Sequence, residues 1–191
     1  MADVAGDVSD VYAAVGIERK TCNYHLCCFA RGSPVVGHGD VPSDWYWEGH
    51  VQTVMVSYLR REGWTVTAES NTAIRARGDD IAATRDGRQL VVEVKGYPSV
   101  GYRDPRRDGE VKRTNPALQA KHWFADALLK LVRIRGTRSQ WAAAMAFPEA
   151  PRYRSLIEET REPLRKLGIG LFIVFADGQV EVVLEPRPPE R

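Results

Sequence analysis

No apolar run in the 191-residue sequence approaches the roughly 18 to 20 residues that a membrane helix needs, so a spanning helix is not expected. The first ten residues carry acids rather than a basic stretch ahead of an apolar one, which argues against a signal peptide. Cysteine is confined to Cys22, Cys27 and Cys28, with none afterwards. Such a distribution excludes a disulfide framework and points to a reducing, cytoplasmic setting. Net charge is also nearly absent, at +2. Repeats and low-complexity tracts are lacking as well. What remains is the composition of an ordinary globular protein, long enough for one domain with a modest extension.

The charge is unevenly placed. Residues 1–47 hold three Lys/Arg against six Asp/Glu, whereas residues 71–138 hold fifteen against eight, a local excess of +7. Concentrated positive charge suits a polyanion, because phosphates neutralised by Lys and Arg release their condensed counterions. A solvated Arg-rich surface is the plainer alternative.

Residues 1–43 show little periodicity and contain Gly32, Pro34, Gly37, Gly39 and Pro42. They read as a poorly structured extension, with a short helix near Val8 to Val15. Pro42-Ser43-Asp44 looks like the start of a helix, and Val51, Val54, Met55, Tyr58 and Leu59 recur at helical spacing up to Gly63. Trp64 to Glu69 alternates as a strand does. Asp80–Arg85 and Arg88–Lys95 flank Asp86-Gly87, a strong signal for a two-residue hairpin. Beyond a polar loop at 97–115, Asn115 caps and Pro116 opens a helix. Its apolar face is predicted to comprise Leu118, the Lys121 stem, Phe124, Leu128 and Leu131, and Gly136 to end it. A strand over Gln140–Phe147, a helix over Pro151–Leu167, and strands over Ile169–Phe175 and Val180–Glu185 follow, with residues 187–191 frayed. The order predicts one α/β domain over 44–186 with a mixed sheet flanked by helices.

The hairpin carries the chemistry. Its two-residue loop sets Thr84 opposite Gln89, Ala82 opposite Val91 and Asp80 opposite Glu93. Opposed residues share a face, with Cβ atoms about 4.5–5.5 Å apart, and Lys95 projects from that face too. Ile81, Ala83, Leu90, Val92 and Val94 form the apolar reverse side. Two carboxylates held across a ladder repel each other, and a hard divalent cation offsets the repulsion well. Mg²⁺ takes one or two protein carboxylates and fills its remaining positions with water and phosphate oxygens. A metal on Asp80 and Glu93 would polarise a phosphoryl oxygen and acidify water. Lys95 could stabilise charge developing on phosphorus or, if desolvated, act as general base. The plainer reading is the solvated face of a surface hairpin.

Gly78-Asp79-Asp80-Ile81 and Glu93-Val94-Lys95 resemble the motif of the PD-(D/E)XK nuclease superfamily: an acid, a spacer, then acid-any-Lys in the next strand. The flanking residues look like its Mrr-type and Holliday-junction-resolvase-type branches. The resemblance covers about residues 47–147. It implies a restriction-endonuclease-like αβββαβ core, with the C-terminal αββ as decoration. It also implies a Mg²⁺- or Mn²⁺-dependent nuclease, more specifically an endonuclease, acting on DNA. A homodimer is a further implication, since many relatives pair to cut both strands, although no seam in the sequence marks one. One departure is that Asp79 stands where the family has proline. In the expected register Asp79 points to the opposite face, leaving Asp80 as the ligand.

Glu48 occupies the position at which this superfamily often has an acid reaching the metal, although a Glu in a first helical turn also complements the helix dipole. Gln119 resembles the Gln that many members direct at the site, with Trp123 where some branches have Tyr; a solvent-facing Gln is the alternative. Arg103, Arg106, Arg107, Lys112 and Arg113, with Tyr97 and Tyr102, lie in the long loop after the catalytic strand. They read as a phosphate-gripping flap, joined by Arg75 and Arg77, or as a solvated charged loop. Cys22, His25, Cys27, Cys28 and His38 are zinc-ligand types but lack a clean paired-cysteine knuckle, so reduced cysteines are expected. A nucleic-acid-binding module that does not cleave is the alternative to an enzyme, and a structural domain the third reading.

Overall fold

The fold was obtained as a computed structural model, which describes residues 45–70, 78–99, 105–107 and 109–188. The expected N-terminal extension with its cysteines and histidines lies outside the described residues, as do Ser43, Asp44, Arg75, Arg77, Tyr102 and Arg103.

A helix α1 (Glu48–Arg61) precedes three strands, β1 (Thr65–Glu69), β2 (Ile81–Arg85) and β3 (Arg88–Val94). A single 3₁₀ turn (Pro105–Arg107) and helix α2 (Pro116–Thr137) lead to β4 (Ala142–Pro148). Helix α3 (Pro151–Lys166), β5 (Ile169–Val174) and β6 (Val180–Leu184) complete the order. The strands form one mixed six-stranded sheet in sequence order. β1, β2 and β3 are antiparallel neighbours, β3, β4 and β5 run parallel, and β6 returns antiparallel. The parallel steps require crossovers, which α2 and α3 supply.

Both faces of the sheet are covered. Val51, Met55, Val56 and Leu59 of α1 pack on Ile81, Ala83, Leu90, Val92, Val94 and the even-numbered alanines of β4. Phe124, Ala127 and Leu131 of α2 and Tyr153, Leu156 and Ile157 of α3 pack on Val91, Ala143, Met145, Phe147 and Leu171. Every residue of β4 and β5 is therefore buried, as expected for parallel strands sandwiched between helices. Among the described residues, no helix is long and apolar enough to cross a membrane.

The turn chemistry reads through directly. Asp86 and Gly87 both adopt positive φ, 51° and 74°, which a type I′ hairpin turn demands. The pairing follows the expected register from Arg85 with Arg88 to Ile81 with Val92. Asn115 caps α2, its side chain accepting a hydrogen bond from Ala117 N at 2.8 Å. Four details differ from expectation. α1 starts at Glu48 after Trp47, which offers no side-chain cap. The buried face of α2 is Ala120, Phe124, Ala127, Leu131 and Ile134, with Leu118 exposed, and the helix runs through Gly136 to Thr137. A stripe of alanines lets the helix approach the sheet closely, so size alone misjudged its rotation. Finally, Arg187 is tied down rather than frayed. Its N–H donates to Gly168 O at 3.0 Å, and its carbonyl accepts from the Arg135 guanidinium.

Candidate active site

Asp80 and Glu93 come together where the β2–β3 ladder ends. The last paired residues are Ile81 and Val92. One step beyond, the Val94 N–H is taken by Asp80 Oδ2 at 2.8 Å, so the carboxylate turns in towards β3. The Asp80 backbone is anchored as well: its carbonyl accepts from Ser70 N and from Gln52 Nε2, both at 3.0 Å. Gln52 also donates to Ser70 O at 2.9 Å, and this buried α1 amide thereby fixes the point at which the Asp80 carboxylate emerges. The sequence reading missed Gln52 because its position on the apolar face of α1 carries no motif.

Glu93 is on the next strand and almost wholly buried, with 3% of its surface exposed. Lys95 Nζ donates to Glu93 Oε1 at 2.6 Å. The Lys95 backbone is fixed in turn, its N–H donating to Ala146 O of β4 at 3.0 Å. A second ammonium, unforeseen from the sequence, enters from α2. Lys130 Nζ forms an ion pair with Glu93 Oε2, lies 3.7 Å from Asp80 Oδ1 and donates to Gly78 O at 2.8 Å. Each Glu93 oxygen therefore has an ammonium against it, Lys95 on Oε1 and Lys130 on Oε2.

The electrostatics follow from this crowding. Burial, reinforced by the neighbouring Asp80, pushes the Glu93 carboxyl up to about 7 against the pull of the two lysines. Burial works against the Lys95 ammonium, but Glu93, Asp80 and Glu48 outweigh it and hold its pKa above the ordinary lysine value.

Glu48 stands beside the cluster at the start of α1. Burial raises its pKa, the Lys95 charge lowers it, Asp80 raises it, and a hydrogen bond from the Gly96 backbone lowers it. The close approach of β3 to α1 accounts for its position. A Cβ on Gly96 would lie 2.4 Å from Tyr46 O and 2.7 Å from Glu48 N, so only glycine permits the contact. Tyr97 N–H donates to Tyr46 O at 2.8 Å, and the Tyr153 hydroxyl donates to Gly96 O at 2.7 Å.

Asp79, not expected as a ligand, pairs with Arg138 just past the end of α2. Other expected members are placed elsewhere. Gln119 lies three turns before Lys130, about 16 Å along the helix axis, and its side chain makes no hydrogen bond among the described residues. Lys130, not Gln119, is the α2 side chain that meets the carboxylates. Of the loop cations, Arg107 pairs with Glu110 at 2.6 Å and Lys112 donates to Ser99 Oγ at 2.8 Å, while Arg106 and Arg113 are exposed. Tyr97 packs against the core beside Tyr46 and Tyr153, not in a flap.

Among the described residues, no three His, Cys, Asp or Glu side chains are grouped to hold a metal on their own. The donor set nevertheless fits a hard cation that keeps water: two carboxylates, Asp80 and Glu93, already converge on one positive charge, the Lys130 ammonium. A cavity of about 190 Å³ lies at the other end of the sheet, against Tyr58, Trp64, Arg85 and Arg88 at the hairpin turn, apart from these carboxylates. The sequence matches no protein-family model and no curated protein.

Proposed function

We propose that the chain is a divalent-metal-dependent nuclease that hydrolyses DNA phosphodiester bonds on a restriction-endonuclease-like fold of the PD-(D/E)XK type. One observation carries the reading: a buried carboxylate, Glu93, meets Asp80 across the end of a hairpin with the Lys95 ammonium 2.6 Å away. Like charges buried together are costly and need counter-charges, here Lys95 and Lys130, and perturbed acids of this kind cluster at functional sites. The element order α-β-β-β-α-β and the step from antiparallel to parallel pairing at β3 and β4 support the same reading.

Asp80 and Glu93 would hold the cation, Mg²⁺ or Mn²⁺, with Glu48 beside them. When bound, that ion supplies Lewis acidity to the phosphoryl group and the attacking water. Lys95, fixed through Ala146 and Glu93, presents a protonated ammonium that steadies charge building on the phosphoryl oxygens. The positive balance of residues 71–138 supports a polyanionic substrate. The confinement of cysteine to one stretch supports a cytoplasmic setting.

A second reading, a nucleic-acid-binding module that does not cleave, draws on the neutralisation of Asp80 and Glu93 by Lys95 and Lys130. One assay separates the two. Supercoiled and linear DNA are incubated with the full chain in Mg²⁺ or Mn²⁺, alongside chelator and Lys95→Ala controls. Cleavage abolished by both controls supports the enzyme. Salt-sensitive binding without cutting supports the module, and the absence of both activities removes both readings.

A further inference from the structure

We infer that Lys130 is a resident cation of this site, an ammonium that balances Asp80 and Glu93 in the metal-free protein and is displaced when a divalent metal binds. The inference rests on the reading of Asp80 and Glu93 as metal ligands and adds a residue that neither the hairpin nor its motif contains.

The two lysines hold Glu93 in different ways. Lys95 takes Oε1 from a backbone fixed to β4, and only 16% of its side chain is exposed. Lys130 takes Oε2 and is the lysine that also reaches Asp80, at 3.7 Å. A cation shared by both carboxylates would occupy the region that the Lys130 Nζ now fills. An ammonium and a dication cannot occupy one volume, and Lys130 is the ammonium paired with both carboxylates. The side chain that can withdraw is Lys130. It is 33% exposed, reaches in on a flexible stem from a surface helix, and its remaining bond is to the Gly78 carbonyl, itself exposed.

The same position explains why the metal-free protein tolerates the acid pair. Without Lys130, Glu93 Oε2 and Asp80 Oδ1 would face each other with no positive charge between them, and only Lys95 would offset the repulsion. Removing Lys130 should therefore move two quantities in opposite directions. The metal-free fold loses stability, and the metal gains affinity because it no longer has a competitor. A lysine acting only as a structural strut would lower stability without tightening metal binding.

The test compares Mn²⁺ binding, read from the loss of the free-ion paramagnetic resonance signal, with thermal unfolding in chelator. The proteins are the full-length chain, Lys130→Gln, Lys130→Arg and, as a control on the exposed face of the same helix, Lys121→Met. Lys130→Gln is expected to bind Mn²⁺ about tenfold more tightly, the order expected for relief of one like-charge contact at a part-exposed site, and to melt at a lower temperature in chelator. Lys130→Arg keeps the charge and should not tighten binding, and Lys121→Met should match the parent in both readouts. Equal or weaker binding by Lys130→Gln, with the parent binding Mn²⁺, would overturn the displacement while leaving the metal site in place. Should Lys130→Gln fail to fold, tightening is sought in Lys130→Met, and its absence there counts against the inference. Failure of every variant and the parent to bind Mn²⁺ would overturn the metal-site reading and the inference together.

Discussion

Glu93 is a buried carboxylate on which two lysines converge. Its folded pKa of about 7 lies above the ordinary 4.5 because burial and Asp80 both disfavour the charge. Between those two values the folded state binds more protons at Glu93 than the unfolded state does, so stability falls as pH rises through the window. Glu48, also raised, acts in the same sense. In chelator, the melting temperature is therefore expected to decline from about pH 5 to about pH 7.5, and Glu93→Gln should flatten part of that decline. A divalent cation binds the charged form, so its stabilising effect should grow over the same interval. Scanning calorimetry across pH, with and without Mn²⁺, checks both. An unchanged slope in Glu93→Gln would show that the proton uptake belongs to other groups.

At the scale of the elements, two approaches of chain to chain set the site. The first is the seat of Gly96 under the start of α1, where a Cβ would strike the Tyr46 carbonyl and the Glu48 amide. Gly96→Ala should cost about 1–3 kcal/mol, because backbone rather than a flexible tip must move, and should displace Glu48 from the cluster. The second is the buried Tyr153 hydroxyl on Gly96 O. Tyr153→Phe leaves that carbonyl without its buried donor and should cost about 1–3 kcal/mol. Urea denaturation measures both losses, and a change below about 0.5 kcal/mol in either would show that the segment is held by other contacts. The sequence makes the hairpin legible because Asp86-Gly87 admits few alternatives, and register then follows from counting. Asp80, Glu93 and Lys95 are local to that hairpin and could be grouped from it. Lys130 could not, since it depends on how α2 rotates against the sheet, and the small Ala120 and Ala127 gave weaker signals than the exposed Leu118. Gln52 was hidden for a similar reason, a polar residue among apolar neighbours whose partners are backbone carbonyls of distant segments.

At the scale of the whole molecule, the candidate site lies at one end of the interior strands. The parallel strands β3, β4 and β5 all end on the side where β2 begins and where Gly96 meets the start of α1. Crevices outside the carboxyl ends of parallel strands are the usual ligand sites of open α/β sheets, and helix N-termini there favour anions. The excess of positive charge in residues 71–138 adds a longer-range field. DNA binding measured by anisotropy in Ca²⁺ should weaken steeply between about 50 and 200 mM salt, and replacing Arg106 and Arg113 together by alanine should lower the logarithmic salt slope by about 2 if both meet phosphates. A slope unchanged by that pair would remove the 3₁₀ turn and its flank from the binding surface.

A divalent cation would sit between Asp80 and Glu93. Crystals of the full chain soaked in Mn²⁺ and measured at the manganese absorption edge test this placement most directly. The expected result is an anomalous peak between Asp80 and Glu93, about 2.1 Å from an oxygen of each, with Lys130 swung away. A peak elsewhere, or none beside a Lys130 still seated on Glu93, would contradict the account.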